Sequence, residues 1–203
     1  MNNYIFIFDF DSTITAEEML PKIASYYGLE NQMRTITEET MQGVIPFKES
    51  FLQRISLLSD KSVKEMKKIA KNIKLNNELC DFIKKNHEKC YIATGQLDIF
   101  IEEVAKTLNL DDHFFSSKSI IENDRIVGVS NVIDKSSVIH LITGKTIAVG
   151  DGNNDAEMIA MADIGIGFGG IRPIAQSVLN CCKIAVYDEH KLVRILKSFN
   201  GND

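Results

Sequence analysis

Phe8-Asp9-Phe10-Asp11-Ser12-Thr13 continues the apolar run Tyr4 to Phe8 and places two carboxylates directly after it. Such a run close to the N-terminus is typical of a buried strand in a parallel sheet. Asp9 and Asp11 therefore follow the carboxyl end of that strand, at the edge where open α/β sheets bind ligands. Residues two apart on an extended chain point the same way, and two like charges held together need a cation or a proton. The pair predicts a divalent-metal site, a nucleophile with its acid/base partner, or both; a solvated strand-to-loop junction is the alternative.

Four further apolar runs have the composition of strands and are separated by helical patterns: Cys90–Thr94, Thr146–Gly150, Ile164–Phe168 and Ile184–Tyr187. Strands that alternate with helices along the chain are typical of an α/β fold. We therefore expect a doubly wound parallel sheet.

The long stretch between the first and second runs has no convincing strand and is mostly helical in pattern. Its candidate helices are one that stops at Gly28, Gln32 to Met41 with a stop at Gly43, Phe47 to Leu58 after Pro46, and Ser62 to Ile73. One crossover helix, Asn77 to Asn86, suffices to join the two strands. We expect residues 1–15 and 76–203 to form the core and residues 16–75 to form an inserted helical cap.

A second irregular segment runs from Ser117 to Val132. Two apolar pairs, Ile120-Ile121 and Ile126-Val127, flank the polar stretch Glu122-Asn123-Asp124-Arg125. Asn and Asp are common at the tight turn of a hairpin. The segment predicts a small β-hairpin flap beside the main sheet.

A second acidic cluster, Gly150-Asp151-Gly152-Asn153-Asn154-Asp155, follows the strand that ends at Gly150. The glycines permit a tight turn and a close approach to a ligand. Asp151 is a candidate metal ligand, and Asp155 is either a site residue or the N-cap of a helix from Ala156 to Ala162. A calcium loop is the alternative for the cluster, but its spacing lacks the glutamate that the EF-hand pattern requires.

The second strand ends at Thr94-Gly95, where a hydroxyl and backbone N–H groups can bind an anion at a helix start. Binding of an anion beside these carboxylates also needs a cation. The candidates are Lys135 and Lys145. Lys145 lies at the amino end of its strand. Lys135 opens the short helix Ser136 to Ile142, nearer the carboxyl edge, and is the one that we favour.

Composition excludes several function classes. The formal net charge of -5 argues against sequence-independent nucleic-acid binding, which needs a basic surface. No long apolar stretch indicates a membrane span, and Met1-Asn2-Asn3 lacks the charged region of a signal peptide. The four cysteines form no CxxC pair, so we expect free thiols and a cytoplasmic protein.

The motifs in this order resemble the haloacid dehalogenase (HAD) superfamily of phosphotransferases: Asp9-Phe10-Asp11-Ser12-Thr13, Thr94-Gly95, Lys135 and Gly150 to Asp155. The insert after the first motif matches members with a helical cap. Within the superfamily the chain most resembles the phosphoserine phosphatase family. Four cap residues stand at that family's substrate-reading positions: Glu18, Met41, Phe47 and Arg54.

The resemblance implies that Glu18 meets the substrate ammonium, that Arg54 meets its carboxylate, and that Met41 and Phe47 form an apolar lid. Each residue also has a structural interpretation. Glu18 could belong to a capping box with Thr15, although Pro21 argues against a regular helix there. Arg54 could lie on a solvated helix face, and the two apolar residues could belong to the core.

The resemblance further implies phosphoryl transfer through a covalent aspartyl-phosphate. Asp9 attacks phosphorus, and Asp11 acts as general acid and then as general base. Mg²⁺ is held by Asp9, Asp151 and the backbone carbonyl of Asp11, with Asp155 supporting the metal site. The residues implied to hold the phosphoryl oxygens are Thr94, Gly95, Lys135 and Asn154.

Three departures from the family bear on the substrate. Gln96-Leu97 stands where a second glycine and an aromatic residue are usual, the segment from Lys135 to Gly150 is short, and Gly169-Gly170-Ile171-Arg172-Pro173 differs from the usual Ala-Lys-Pro turn. We expect a small phosphorylated substrate, O-phosphoserine first, and a monomer or homodimer. The alternatives are a HAD phosphatase for another small phosphorylated metabolite or amino acid, and a receiver-like phosphoacceptor module, which shares the sheet but has no cap.

Overall fold

A computed structural model describes residues 4–41 and 44–201 of the protein, without the side chain of Met41. Within that range the strands are β1 Tyr4–Phe8, β2 Cys90–Leu97, β3 Phe114–Glu122, β4 Arg125–Asn131, β5 Lys145–Gly150, β6 Ile164–Phe168 and β7 Ile184–Val186. The helices are α1 Met19–Tyr26, α2 Glu30–Met41, α3 Phe47–Ser56, α4 Val63–Ala70, α5 Asn77–Lys85, α6 Asp98–Thr107, α7 Ser136–Leu141, α8 Ala156–Met161, α9 Gln176–Leu179 and α10 Glu189–Asn200. The expected stop of α2 at Gly43 lies outside the described residues.

One sheet contains all seven strands in the order β4-β3-β2-β1-β5-β6-β7. β1 lies between β2 and β5 and is parallel to both, so the carboxyl ends of these three strands meet at one edge. β5, β6 and β7 continue the parallel pairing. The prediction of an α/β fold with a doubly wound parallel sheet is confirmed.

Side chains of β1 alternate between two buried layers, as the pleat of a strand requires. Phe6 and Phe8 pack in the layer that includes α5, where the rings of Phe6 and Phe82 lie 5.2 Å apart. Ile7 packs in the opposite layer with Val138 of α7 and residues of α8. Burial on both faces fixes β1 firmly, so the residues that follow it are held in place.

The helices α1 to α4 lie between β1 and α5, and the chain leaves and re-enters the sheet region at one place. Thr15 and Leu75 form an antiparallel bridge, and the Ala16 N–H donates to the carbonyl of Lys74 at 2.8 Å. The two segments that connect these helices to the sheet therefore lie side by side, as expected for a cap joined to the core by a short hinge. The division into a core of residues 1–15 and 76–203 and a cap of residues 16–75 stays a prediction.

The hairpin flap that we predicted beside the main sheet forms one end of that sheet. β3 and β4 form the expected antiparallel hairpin, with Asn123 and Asp124 at positive φ in its turn. However, the first part of β3 also pairs in parallel with β2. Half-exposed strands such as β3 lack a continuous apolar run, which is why the sequence pattern did not place it in the sheet.

The helix α1 contains Pro21, which argued against a regular helix at this position. Pro21 is the third residue of α1, where its missing N–H would have had no partner inside the helix. Glu18 is the residue that precedes the helix, and its side chain makes no capping hydrogen bond. The proposed capping box with Thr15 is therefore wrong.

None of the helices in the described part of the chain is long and apolar enough to cross a membrane.

Candidate active site

A tight turn over residues 10–14 presents Asp9 and Asp11 at the carboxyl edge of the sheet. Ser12 adopts a left-handed backbone conformation with φ 67°, which is uncommon for a residue with a side chain. The Ser12 N–H donates to Thr15 Oγ1 at 3.0 Å, and the Thr15 N–H donates to the carbonyl of Phe10 at 3.0 Å. These bonds hold the strained turn in place.

Lys135 joins the first and second acidic motifs. Its ammonium donates to Asp9 Oδ1 and, at 2.5 Å, to Asp155 Oδ1, and all three side chains are buried. Lys135 directly precedes α7, as expected, whereas Lys145 is exposed at the amino end of β5. The structure therefore places Lys135, and not Lys145, beside the carboxylates.

Burial and charge act in opposite directions on this group. Burial alone would lower the pKa of Lys135, but Asp155 and Asp9 raise it above its usual value, so the ammonium stays protonated. Burial and the repulsion of Asp155 raise the pKa of Asp9, while Lys135 lowers it. Burial also raises the pKa of Asp151 to about 6, although Arg172 lowers it. The negative charge of this cluster is incompletely offset by the protein.

The loop after β5 is built around the carboxylate of Asp155. Its Oδ2 accepts hydrogen bonds from the backbone N–H groups of Asp151 at 3.1 Å and Gly152 at 2.8 Å. A Cβ on Gly150 would lie 2.7 Å from the carboxylate carbon, so this position has no room for a side chain. Asp155 is the N-cap residue of α8, as the alternative interpretation predicted, but its side chain makes no capping hydrogen bond to that helix.

Three buried carboxylates fit a metal ion. Oxygen atoms of Asp9, Asp151 and Asp155 lie within 4.8 Å of one another. Asp151 Oδ1 is buried and finds no hydrogen-bond partner in the part of the chain that the structure describes, which is costly unless a ligand completes the site. Within residues 4–41 and 44–201, the cations that contact these three carboxylates are two, Lys135 and Arg172. The carboxylate of Asp11 lies outside this trio, and the role of its backbone carbonyl as a ligand stays a prediction.

The carboxylate of Asp11 is held by two donors. The Met19 N–H at the start of α1 donates to its Oδ1 at 2.7 Å, and the Gln96 amide donates to its Oδ2 at 3.1 Å. Burial raises the pKa of Asp11 in spite of the hydrogen bond from Met19.

One cavity of ≈ 500 Å³ contains both groups of predicted residues. On the sheet side it is lined by Asp9, Asp11, Thr94, Gly95, Lys135, Asp151 and Asn154, and on the helical side by Glu18, Phe47 and Arg54. The structure therefore brings these residues together. The side chain of Met41 lies outside the described part of the chain.

The aromatic ring of Phe47 closes the cavity over Gly95. A Cβ on Gly95 would lie 2.5 Å from the Cζ atom of Phe47, which is closer than real contacts. A side chain at this position would displace the ring of Phe47, because the end of β2 and the start of α3 approach closely here.

Arg54 faces the same cavity and has no carboxylate within 4.0 Å among the described residues; its Nε donates to the carbonyl of Ser50 at 3.4 Å. Burial lowers its pKa, whereas Asp11 and Glu18 raise it. Glu18 differs, because its Oε1 accepts a hydrogen bond from Arg172 Nη1 at 2.9 Å. Arg54 is therefore available to an anionic ligand, while Glu18 already has a cationic partner.

Arg172 and Gln96 also contact site residues, and neither was among the predicted site residues. Arg172 lies in the loop after β6 and contacts both Asp151 and Glu18. The sequence showed both residues only as departures from a family pattern. Arg172 follows the carboxyl end of β6, so its position after a strand was the signal that could have identified it.

The chain matches the family model of haloacid dehalogenase-like hydrolases over residues 5–163. The chain belongs to this family. The expectation of an enzyme of the HAD superfamily is confirmed, and the receiver-like alternative is not supported because the HAD family model describes hydrolases.

This HAD hydrolase is 28% identical over 208 residues to a phosphoserine phosphatase of Methanocaldococcus jannaschii, and the alignment covers 95% of this chain and 97% of that protein. It is 31% identical over 179 residues to a phosphoserine phosphatase of Archaeoglobus fulgidus, and that alignment covers 81% of this chain and 52% of that protein. A solved structure described as a phospho-aspartyl intermediate analogue of phosphoserine phosphatase matches with a TM-score of 0.82 at 26% identity, over 96% of this chain and 99% of that one. The predicted similarity to phosphoserine phosphatases is confirmed.

Proposed function

We propose that this HAD hydrolase is a Mg²⁺-dependent phosphomonoester hydrolase and that its substrate is O-phosphoserine. The observation that carries the proposal is the single cavity in which the buried Asp9 and Lys135 face Glu18 and Arg54. The first pair suits a phosphoryl group, and the second offers the charges that an ammonium and a carboxylate require. The similarity to phosphoserine phosphatases along almost the whole chain supports the same substrate.

The reaction has two steps on Asp9. In the first, a carboxylate oxygen of Asp9 bonds to phosphorus while the bond to the leaving alkoxide breaks, and Asp11 gives that alkoxide a proton. In the second, Asp11 takes a proton from a water molecule that attacks the same phosphorus. Phosphate is released and the carboxylate of Asp9 is restored.

The residues around Asp9 would hold the phosphoryl oxygens. Lys135 is a fixed positive charge in a buried site, where its interaction with developing charge is strong. Thr94, Gly95 and Asn154 line the same cavity and can donate hydrogen bonds from a hydroxyl, a backbone N–H and an amide.

Oxygen-rich sites of this kind suit Mg²⁺ rather than Zn²⁺. Asp9, Asp151 and the backbone carbonyl of Asp11 would hold the ion, with Asp155 supporting them. When bound, Mg²⁺ would offset the negative charge of the carboxylates and of the phosphoryl group.

The cap residues would read the rest of the substrate. Arg54 would pair with the carboxylate of phosphoserine and Glu18 with its ammonium, under the apolar lid of Phe47 and Met41. Closure of the cap would exclude bulk water during the reaction.

A second candidate is favoured by one contact. Because Glu18 already pairs with Arg172, a phosphorylated hydroxy acid that lacks the ammonium would not leave Glu18 without a cationic partner. The alternative is a HAD phosphatase for such an ester or for another phosphorylated amino acid.

A substrate panel tests the proposal. The purified chain is assayed with Mg²⁺ on phosphoserine, phosphothreonine, a phosphorylated hydroxy acid of the same length, and para-nitrophenyl phosphate. The proposal expects the highest kcat/KM on phosphoserine. Hydrolysis of the aryl ester without hydrolysis of phosphoserine would replace it with the second candidate.

The cytoplasmic location and the monomeric or homodimeric state remain predictions from the sequence.

A further inference from the structure

A bulge in β2 turns Gln96 into the candidate active site. β2 pairs with β3 through Thr94 and Ser116, and the next pair is Leu97 with Ser117. Two residues of β2 therefore stand opposite no partner in the ladder, and one of them is Gln96. Bulges of this kind re-aim side chains and are common beside active sites.

Gln96 is held at three points. Its N–H donates to Thr94 Oγ1 at 3.1 Å, its Oε1 accepts from the Leu97 N–H at 3.1 Å, and its Nε2 donates to Asp11 Oδ2 at 3.1 Å. The bond from Leu97 to Oε1 fixes which end of the amide faces Asp11. With 4% of its surface exposed, the side chain has little freedom to turn away.

The two hydrogen-bond partners that the Asp11 carboxylate has among the described residues share one property. The Met19 N–H and the Gln96 NH₂ are donors without acceptor capacity. A proton carried by Asp11 thus cannot be given to either neighbour and is free for an oxygen in the cavity. The Gln96 amide also fixes the rotation of the carboxylate, because Oδ1 is already bound to Met19.

We propose that Gln96 is a positioning residue for the general acid of the proposed reaction. It holds Asp11 so that Oδ2 faces the leaving oxygen, and the proton moves from Asp11 to that oxygen as its bond to phosphorus breaks. This inference rests on the phosphomonoester hydrolysis proposed above. It adds a role for a residue that was not among those implied to hold the phosphoryl oxygens or the metal.

The test uses leaving groups that differ in their need for a proton. A serine alkoxide leaves with difficulty unless it is protonated, whereas para-nitrophenolate leaves readily without a proton. The quantity compared is kcat/KM, since it reports formation of the aspartyl-phosphate and not its hydrolysis. The variant is Gln96→Met, which keeps the length of the side chain and removes the amide.

We expect Gln96→Met to lower kcat/KM on the alkyl ester about tenfold to a hundredfold, the range of one hydrogen bond to a charged group, and to leave the aryl ester almost unchanged. Gln53→Met, on the exposed face of α3, is the matched control and should alter neither value. Gln96→Leu, an uncharged side chain of similar size that also lacks the donor, should show the same contrast. It keeps the test decisive if Gln96→Met unfolds.

A double-mutant cycle with Asp11→Asn completes the test. Gln96→Met should cause no further loss on the alkyl ester once Asp11 is an amide. Equal losses on both esters, no loss at all, or an additive loss in the Asp11→Asn background would overturn the inference and leave the proposed function standing. If the unmodified enzyme turns over neither ester, both the inference and the proposed function are overturned.

Discussion

The guanidinium of Arg172 lies 2.9 Å from the carboxylate of Glu18 and joins the loop after β6 to the residue that precedes α1. The same guanidinium contacts the buried Asp151. A residue of the predicted metal site and a predicted substrate-reading residue are thus linked through one side chain. The charge of Asp151 and the charge of Glu18 therefore influence each other, since both carboxylates share Arg172 as their cationic partner.

Arg172→Ala should destabilise the metal-free protein. The substitution leaves Asp151 buried without its partner, and the loss of one hydrogen bond to a charged group costs roughly 1.5–3 kcal/mol. The free energy of unfolding is measured by urea denaturation in the presence of a chelator. Arg34→Ala removes an exposed pair on α2 and should produce no measurable change. Equal stability of Arg172→Ala and the unmodified protein would contradict the described contacts.

Gly165→Ala should disrupt the packing of β6 against α8. A Cβ on Gly165 would lie 2.4 Å from the carbonyl oxygen of Ile159, and a backbone atom cannot move aside easily. We expect a loss of roughly 1–3 kcal/mol in the free energy of unfolding. Gly128→Ala on β4 is the control, because its Cβ would approach Ile120 only to an ordinary 3.5 Å and should change stability by no more than about 0.5 kcal/mol. If both variants behave alike, β6 and α8 are not packed as described.

Removal of divalent metal should abolish phosphatase activity, and Mg²⁺ should restore it. Binding to the folded state alone also raises the melting temperature, so Mg²⁺ should stabilise the chelated protein. Asp151→Asn should lose most of this shift in Tm, since Asp151 Oδ1 is a buried carboxylate oxygen that has no hydrogen-bond partner among the described residues. Calcium is expected to bind and inhibit, because its looser coordination misplaces the attacking oxygen. Full activity after exhaustive chelation would rule out the metal.

Arg54→Ala should weaken the reaction with phosphoserine far more than that with an aryl phosphate. The lost hydrogen bond to the substrate carboxylate corresponds to about a tenfold to hundredfold fall in kcat/KM. Lys48→Ala, an exposed cation on the same helix α3, is the control and should affect neither substrate. If Arg54→Ala harms both substrates equally, Arg54 has a structural role and does not read the carboxylate.

The sequence predicted best where burial is continuous. β1 and β6 are apolar along their whole length, and β5 is apolar after Lys145 and Thr146, so the positions of these strands and of the acidic residues after β1 and β5 could be predicted from the pattern. β3 is buried only near its start, and its pairing with β2 depends on tertiary contacts that no local pattern records.

The candidate site was predictable as a set of residues but not as a network. Strand ends identified Asp9, Thr94 and Asp151. The contacts of Gln96 and Arg172 arise from a bulge and from a loop, where backbone direction decides what a side chain reaches. Such geometry follows from the folded chain and is not encoded in residue spacing.

The most direct test of the account is the turnover of phosphoserine by Asp9→Asn in Mg²⁺. An amide cannot attack phosphorus, so phosphate release should be absent, while circular dichroism should show a folded protein. The unmodified enzyme should release phosphate and, after rapid quenching, carry a phosphoryl group on the peptide that contains Asp9. Phosphate release by Asp9→Asn at the rate of the unmodified enzyme would contradict the central claim.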